Sequence, residues 1–95
     1  MEGLTFERVR DYLNRAEPFL RPIVQRLIRQ ALDTAEIEND YESRGHLYRL
    51  IRECSTPFRS NATAIREYLN NSQGGASRGG TARELIFSQL SLLLR

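Results

Sequence analysis

One histidine, one cysteine and no lysine in 95 residues leave few groups able to do chemistry, and their spacing narrows the choice further. His46 would serve as a general base only beside a nucleophile, and no Ser or Cys at a recognisable spacing accompanies it. It reads as a surface or capping histidine. Cys54 falls in helical register with Leu47, Leu50 and Ile51, which predicts a buried, inert thiol. A lone cysteine also excludes an internal disulfide and a cysteine-based zinc cluster. Glu36, Asp40 and Glu42 lack the spacing and central glycine of a calcium loop, so the acidic segment reads as a solvated face or as a dock for arginines. The stretch from Gly74 to Thr81 has the glycines of a phosphate-binding loop, but Gly80 stands where that loop requires lysine and no strand precedes it. A single Arg-Gly-Gly at 78–80 is too little for RNA binding. These residues predict no enzyme activity, no cofactor, no metal and no small-molecule substrate.

The arginines are what remains. All fourteen basic side chains are arginine, where about five or six lysines would be expected in a chain of this length. Arginine presents a planar, permanently charged fork matched to carboxylates and phosphates. Its absence of lysine also leaves the N-terminal amine as the sole acceptor for ubiquitin or acetyl groups. Arg26 and Arg29 share one outward helix face, and Arg49 and Arg52 another, each pair at i, i+3 spacing. The charge is ordered along the chain. Residues 1–29 hold six Arg against four acids, residues 30–43 hold five acids and no base, and residues 44–95 hold eight Arg against three acids. Folding can turn such an order into opposed patches, although isolated surface charges are normally worth little.

Helices must carry these groups, because no segment alternates with the period of a strand. A first helix opens at Thr5, buries Phe6, Val9 and Leu13, and stops at Pro18, which disfavours helical backbone in the residue before it. Pro22 suits the first turn of a second helix. There Ile23, Val24, Leu27, Ile28 and Ala31 form an apolar stripe, with Gln25, Arg26, Arg29 and Gln30 facing away. Asp33 with Glu36 reads as a capping box opening a surface helix over about 34–42. Gly45 reads as its separation from a fourth helix bearing Leu47, Leu50, Ile51 and Cys54. One helix continuous across Gly45 stays open, since a helical glycine costs only ~1 kcal/mol. A further helix starts near Asn61, with Ala62, Ile65 and Leu69 inward. Residues 70–80 read as a flexible Gly/Ser/Asn connection. Thr81 and Glu84 then read as a capping box before a last helix that is apolar on most of its circumference. That helix must be central to the core or bury one face in a partner.

The result is an all-α expectation: a single domain over 1–95, built as a bundle of five to six short antiparallel helices. Apolar residues make up 40% and charged residues 27%, as in a globular rather than a disordered chain. No apolar run has the length of a membrane span, and the first residues lack the layout of a signal peptide. A cytoplasmic or nuclear location, not a secreted one, is the expectation, so the sequon at Asn61 reads as a helix start.

The segment Val9-Arg10-Asp11-Tyr12-Leu13 through Phe19-Leu20-Arg21-Pro22-Ile23-Val24 resembles the bent first helix and the entry to helix two of the death-fold superfamily, caspase-recruitment (CARD) type. Leu32-Asp33-Thr34-Ala35-Glu36-Ile37-Glu38 is similar to that group's passage into helix three, and Gly45-His46-Leu47-Tyr48-Arg49-Leu50-Ile51 to its fourth helix. The resemblance spans about residues 6–54. Helix five lacks the family's bulky aromatic run, and the polar loop before the last helix is long. The resemblance implies a non-enzymatic signalling adaptor that assembles with itself or a similar domain. Position by position, it makes Arg10, Arg49 and Arg52 donors and Glu36, Glu38 and Asp40 acceptors. Two other readings stand beside it. One is a nucleic-acid-binding helix-turn-helix over helices three and four, with Arg44, Arg49 and Arg52 on phosphates. The other is a docking domain of the ubiquitin system, or of a viral or bacterial effector, that avoids lysine.

Overall fold

Thr5 sits in extended conformation and its Oγ1 accepts a hydrogen bond from the Arg8 N–H at 3.1 Å, starting helix α1 (Phe6–Ala16) as the sequence predicts. The computed structural model describes residues 3–71 and 81–94. After α1, Glu17–Phe19 tighten into a 3₁₀ turn around Pro18, and Pro22 opens helix α2 (Pro22–Glu38). Helix α3 spans Tyr41–Cys54, α4 spans Asn61–Asn71 and α5 spans Thr81–Leu93. Among the described residues there is no strand, and the fold is an all-α bundle.

The boundary between the second and third helices departs from the sequence reading. Asp33 does not start a helix; α2 runs through it to Glu38. The break falls at Asn39, whose φ of 56° is the left-handed conformation that Asn tolerates better than most residues. Its N–H closes α2 on the Ala35 and Glu36 carbonyls. Asp40 then caps α3: its carboxylate accepts from the Ser43 N–H at 3.2 Å and the Ser43 hydroxyl at 2.7 Å. The helix continues unbroken through Gly45. The segment expected as a separate helix over 34–42 is therefore the end of α2 and the start of α3, and the helix-turn-helix across Gly45 is one helix.

Successive helices run antiparallel. The end of α2 meets the start of α5, where Glu38 Oε1 accepts from the Ala82 N–H at 3.2 Å. At the opposite pole Asn61 ties three elements together. Its Oδ1 accepts from the Arg21 N–H at 2.9 Å, and its Nδ2 donates to the Cys54 carbonyl at 3.0 Å. Asn61 thus has a structural use within the first turn of α4, which Ser60 caps by accepting from the Thr63 N–H. Helices α1 and α3 lie parallel, since Phe6 meets Tyr41 at one end (ring centroids 5.9 Å apart) and Tyr12 meets Tyr48 further along (4.8 Å).

The core gathers Val9 and Leu13 from α1, Val24, Ile28 and Leu32 from α2, Leu47, Leu50 and Ile51 from α3, Ile65 from α4, and Ile86 and Leu90 from α5, all essentially inaccessible. Each such side chain stabilises the fold by roughly 1.5–3 kcal/mol through burial. Helix α5 is a core helix, packed along α2 with Ala82, Ile86 and Leu90 inward. Because α2 is flanked by α1, α3 and α5, its buried arc is wider than the predicted stripe and takes in Gln25, while Ile23 at its start is 47% exposed. Helix α4 is turned slightly from its expected face: Ala64, Ile65 and Tyr68 are buried, and Ala62 and Leu69 only half so. Its helix includes Asn70 and Asn71. The rest of the expected connection, 72–80, and the Thr81 side chain of the expected capping box lie outside the described residues.

Candidate interaction surface

The eight side chains singled out in the sequence divide into those that serve the fold and those that stand on its surface. Arg10 bridges α1 to α2, donating to Asp33 Oδ1 at 2.6 Å and to Glu36 Oε1 at 2.8 Å. The hydrogen bond to Asp33, followed by that to Glu36, raises its pKa further, against the opposing effect of its partial burial. Both acids remain half exposed, at 59% and 50% of their side-chain surface. Glu38 accepts from the first turn of α5, where its negative charge also suits the helix N-terminus. Asp40 is the cap of α3. All three expected acceptors therefore have internal roles, which sequence spacing does not reveal.

The expected donors divide differently. Arg29 donates to Asn14 Oδ1 at 2.9 Å and so joins α2 to α1. Arg26 is exposed beside Ile23, Leu27, Leu92 and Leu93, on a groove of about 430 Å³ between the start of α2 and the end of α5. Arg49 and Arg52 are exposed on α3 and, among the described residues, neither has an ion-pair partner. The Arg52 guanidinium lies 6.0 Å from the Tyr48 ring centroid, near the outer limit of a cation–π contact. Together with Glu42, Gly45 and His46 these two arginines line a shallow depression of about 500 Å³.

Two further arginines have internal partners that the sequence does not by itself reveal. Arg44, proposed there as a phosphate contact, turns back to donate to the Leu4 and Tyr41 carbonyls and stacks 4.6 Å from the Tyr41 ring. Arg59 clamps Glu53 of α3 and Glu67 of α4, the latter through Nη2 at 2.9 Å as well as Nη1. The two short carboxylate spacings flanking Arg59 (six and eight residues) were the available signal.

The lone cysteine is buried and the lone histidine partly so. Cys54 is 1% exposed, and burial above all, with the nearby Glu53 charge, pushes its thiol up to about 12. A buried, protonated thiol of this kind is a poor nucleophile. His46 packs edge-on to Tyr68 with ring centroids 6.4 Å apart. Partial burial, then the charge of Arg49, lowers its pKa from 6.5, with Asp40 opposing. Among the described residues no three His, Cys, Asp or Glu side chains gather as a metal would require, and no helix is long and apolar enough to cross a membrane. What the surface offers is opposed charge with apolar residues beside it, an arrangement suited to docking. Compared with known proteins, the chain matches no family model, no curated sequence and no solved structure.

Proposed function

We propose that the protein is a non-enzymatic interaction module that assembles with a second copy of itself or with a similar helical domain, as an adaptor of the death-fold kind does. Surface chemistry carries this reading. The single supporting observation is that α1 separates two charged regions of opposite sign. On one side its Arg10 meets the half-exposed Asp33 and Glu36 of α2. On the other its Tyr12 meets Tyr48 of α3, the helix bearing the exposed Arg49 and Arg52. Complementary patches on different faces of one chain favour contacts between copies, and such electrostatics set orientation and on-rate more than affinity. The acids keep enough exposure to accept a second arginine while Arg10 holds them.

Association is expected to be salt-sensitive, because exposed pairs are screened once the Debye length falls to about 3 Å near 1 M salt. The double variant Arg49→Glu/Arg52→Glu, both on an exposed face, is expected to keep the helical circular dichroism of the parent and to lose association in light scattering at low salt. A chain that stays monomeric at high concentration and low salt, or that associates undiminished after the double reversal, contradicts the proposal.

A further inference from the structure

The exposed large apolar residues sort to the two ends of the bundle, and each end carries a different charge. At the pole where α2 and α4 begin and α1, α3 and α5 end, Phe58 is 93% exposed, Phe19 64%, Leu92 55% and Ile23 47%. Asn61 fixes this pole by joining Arg21 of the α2 entry to Cys54 at the end of α3. The charges beside these apolar groups are mostly basic, with Arg15, Arg21, Arg26 and Arg52 exposed against the exposed Glu17. At the other pole, where α2 ends and α3 begins, Ile37 is 83% exposed and Tyr41 58%. Their chain neighbours Glu36, Glu38, Asp40 and Glu42 outnumber the two cations found there, Arg44 stacked 4.6 Å from the Tyr41 ring and Arg10 bound to Glu36.

Exposed apolar residues gathered at one end of a domain beside an excess of one sign of charge are suited to an interaction site. Here there are two such sites, of opposite sign, on one small domain. Two basic poles would repel each other, as would two acidic ones, which disfavours a symmetric end-to-end dimer. A basic pole against an acidic pole satisfies both the charge and the apolar surface. The groove of about 430 Å³ beside Arg26, walled by Ile23, Leu27, Leu92 and Leu93, offers a recess for a side chain such as Ile37, which projects from the last turn of α2 beside Glu36 and Glu38.

We infer that the occupant of each pole is the opposite pole of a second copy, so that the chain assembles head to tail. This rests on the self-assembly proposed above and names the surfaces that perform it. The contact is heterologous: the two copies use different patches, so each added copy leaves one pole of each kind open. Growth then continues unless the rotation between copies closes a ring.

The test uses one variant blocked at each pole, Phe58→Asp at the basic pole and Ile37→Arg at the acidic pole, studied by sedimentation velocity at low salt alone and in equal mixture. Alone, neither variant has two compatible poles, and each is expected to remain monomeric under conditions where the parent forms species larger than a dimer. Mixed, the intact acidic pole of Phe58→Asp meets the intact basic pole of Ile37→Arg, and a one-to-one dimer that grows no further is expected. The inference is overturned if either variant assembles like the parent or if the mixture stays monomeric. Should the parent associate with salt sensitivity while both variants do the same, self-assembly survives and the pole assignment falls. Should the parent never associate, both fall. Binding of the parent and of Ile37→Arg to phosphatidylserine-containing vesicles, without self-association, would assign the basic pole to an anionic membrane instead. The milder pair Phe58→Ser and Ile37→Ser carries the same comparison if a charge substitution disturbs folding.

Discussion

The two poles of the bundle use charge in different ways. At the acidic pole Asp40 caps α3, Glu38 caps α5 and Glu36 holds α1 through Arg10, so charges that face outward also hold helices in place. At the basic pole a neutral side chain, Asn61, makes the ties between helices, and Arg26 and Arg52 stand without an ionic partner among the described residues. The difference teaches that exposure does not identify a binding residue. An acid can be visible from solvent because its internal partner, a helix terminus or an arginine, is itself at the surface. Substitution of the helix-holding acids Glu36, Glu38 and Asp40 should therefore cost both folding and assembly, and that of Arg26 or Arg52 assembly alone.

The largest separation is expected between Asp40→Ala and Arg26→Ala. Losing the cap, and leaving the buried Ser43 hydroxyl without its acceptor, should lower unfolding stability by about 1–3 kcal/mol. Arg26→Ala should stay within about 0.5 kcal/mol of the parent, as for surface positions without a special role. Urea denaturation followed by circular dichroism measures both, and equal losses would erase the contrast between the poles.

A smaller effect, of opposite sign, is expected between the poles. A Cβ at Gly45 would meet nothing within 4 Å, and the helix is continuous there. Gly45→Ala should raise stability by roughly 0.5–1 kcal/mol, seen as a higher urea midpoint with unchanged slope. A loss would show that glycine is needed at that position after all.

The smallest effect is in pH. Burial lowers the His46 pKa below its unfolded value, so the unfolded chain binds the proton first as pH falls. The stability contributed by neutral His46 is complete above about pH 6.5 and declines as the pH drops through the lowered folded value. His46→Asn should flatten the dependence of the urea midpoint on pH across that window. An unchanged slope would mean that the imidazole is no more protected in the fold than in the unfolded chain.

Much of the fold was legible because it is written in local chemistry. Thr5, Pro18 and Pro22 mark helix ends through capping and fixed φ, and the spacing of Val24, Leu27, Ile28 and Ala31 names the buried face of α2. The boundary after α2 was misread because two capping signals lie seven residues apart. Asp33 with Glu36 has the form of a start, but Asp40 follows an asparagine that takes the left-handed turn, and continuing α2 buries Leu32 and Ala35. Gly45 did not break α3 because a cost of ~1 kcal/mol is outweighed by burying Ser43, Leu47 and Leu50 around it. The surface was less legible. Exposure of Arg49 and Arg52 follows from helical spacing, whereas the bond from Arg10 to Asp33 joins residues 23 apart and exists only once α1 lies against α2. The sorting of Phe58, Phe19, Ile37 and Tyr41 to opposite poles likewise depends on which helix ends meet.

Sedimentation velocity of the parent chain over a concentration series, at low salt and again near 1 M salt, tests assembly by complementary poles most directly. The account predicts a weight-average sedimentation coefficient that rises with concentration past the dimer at low salt and returns to the monomer value at high salt. A coefficient that stays monomeric throughout, or that stops at a dimer indifferent to salt, would contradict it.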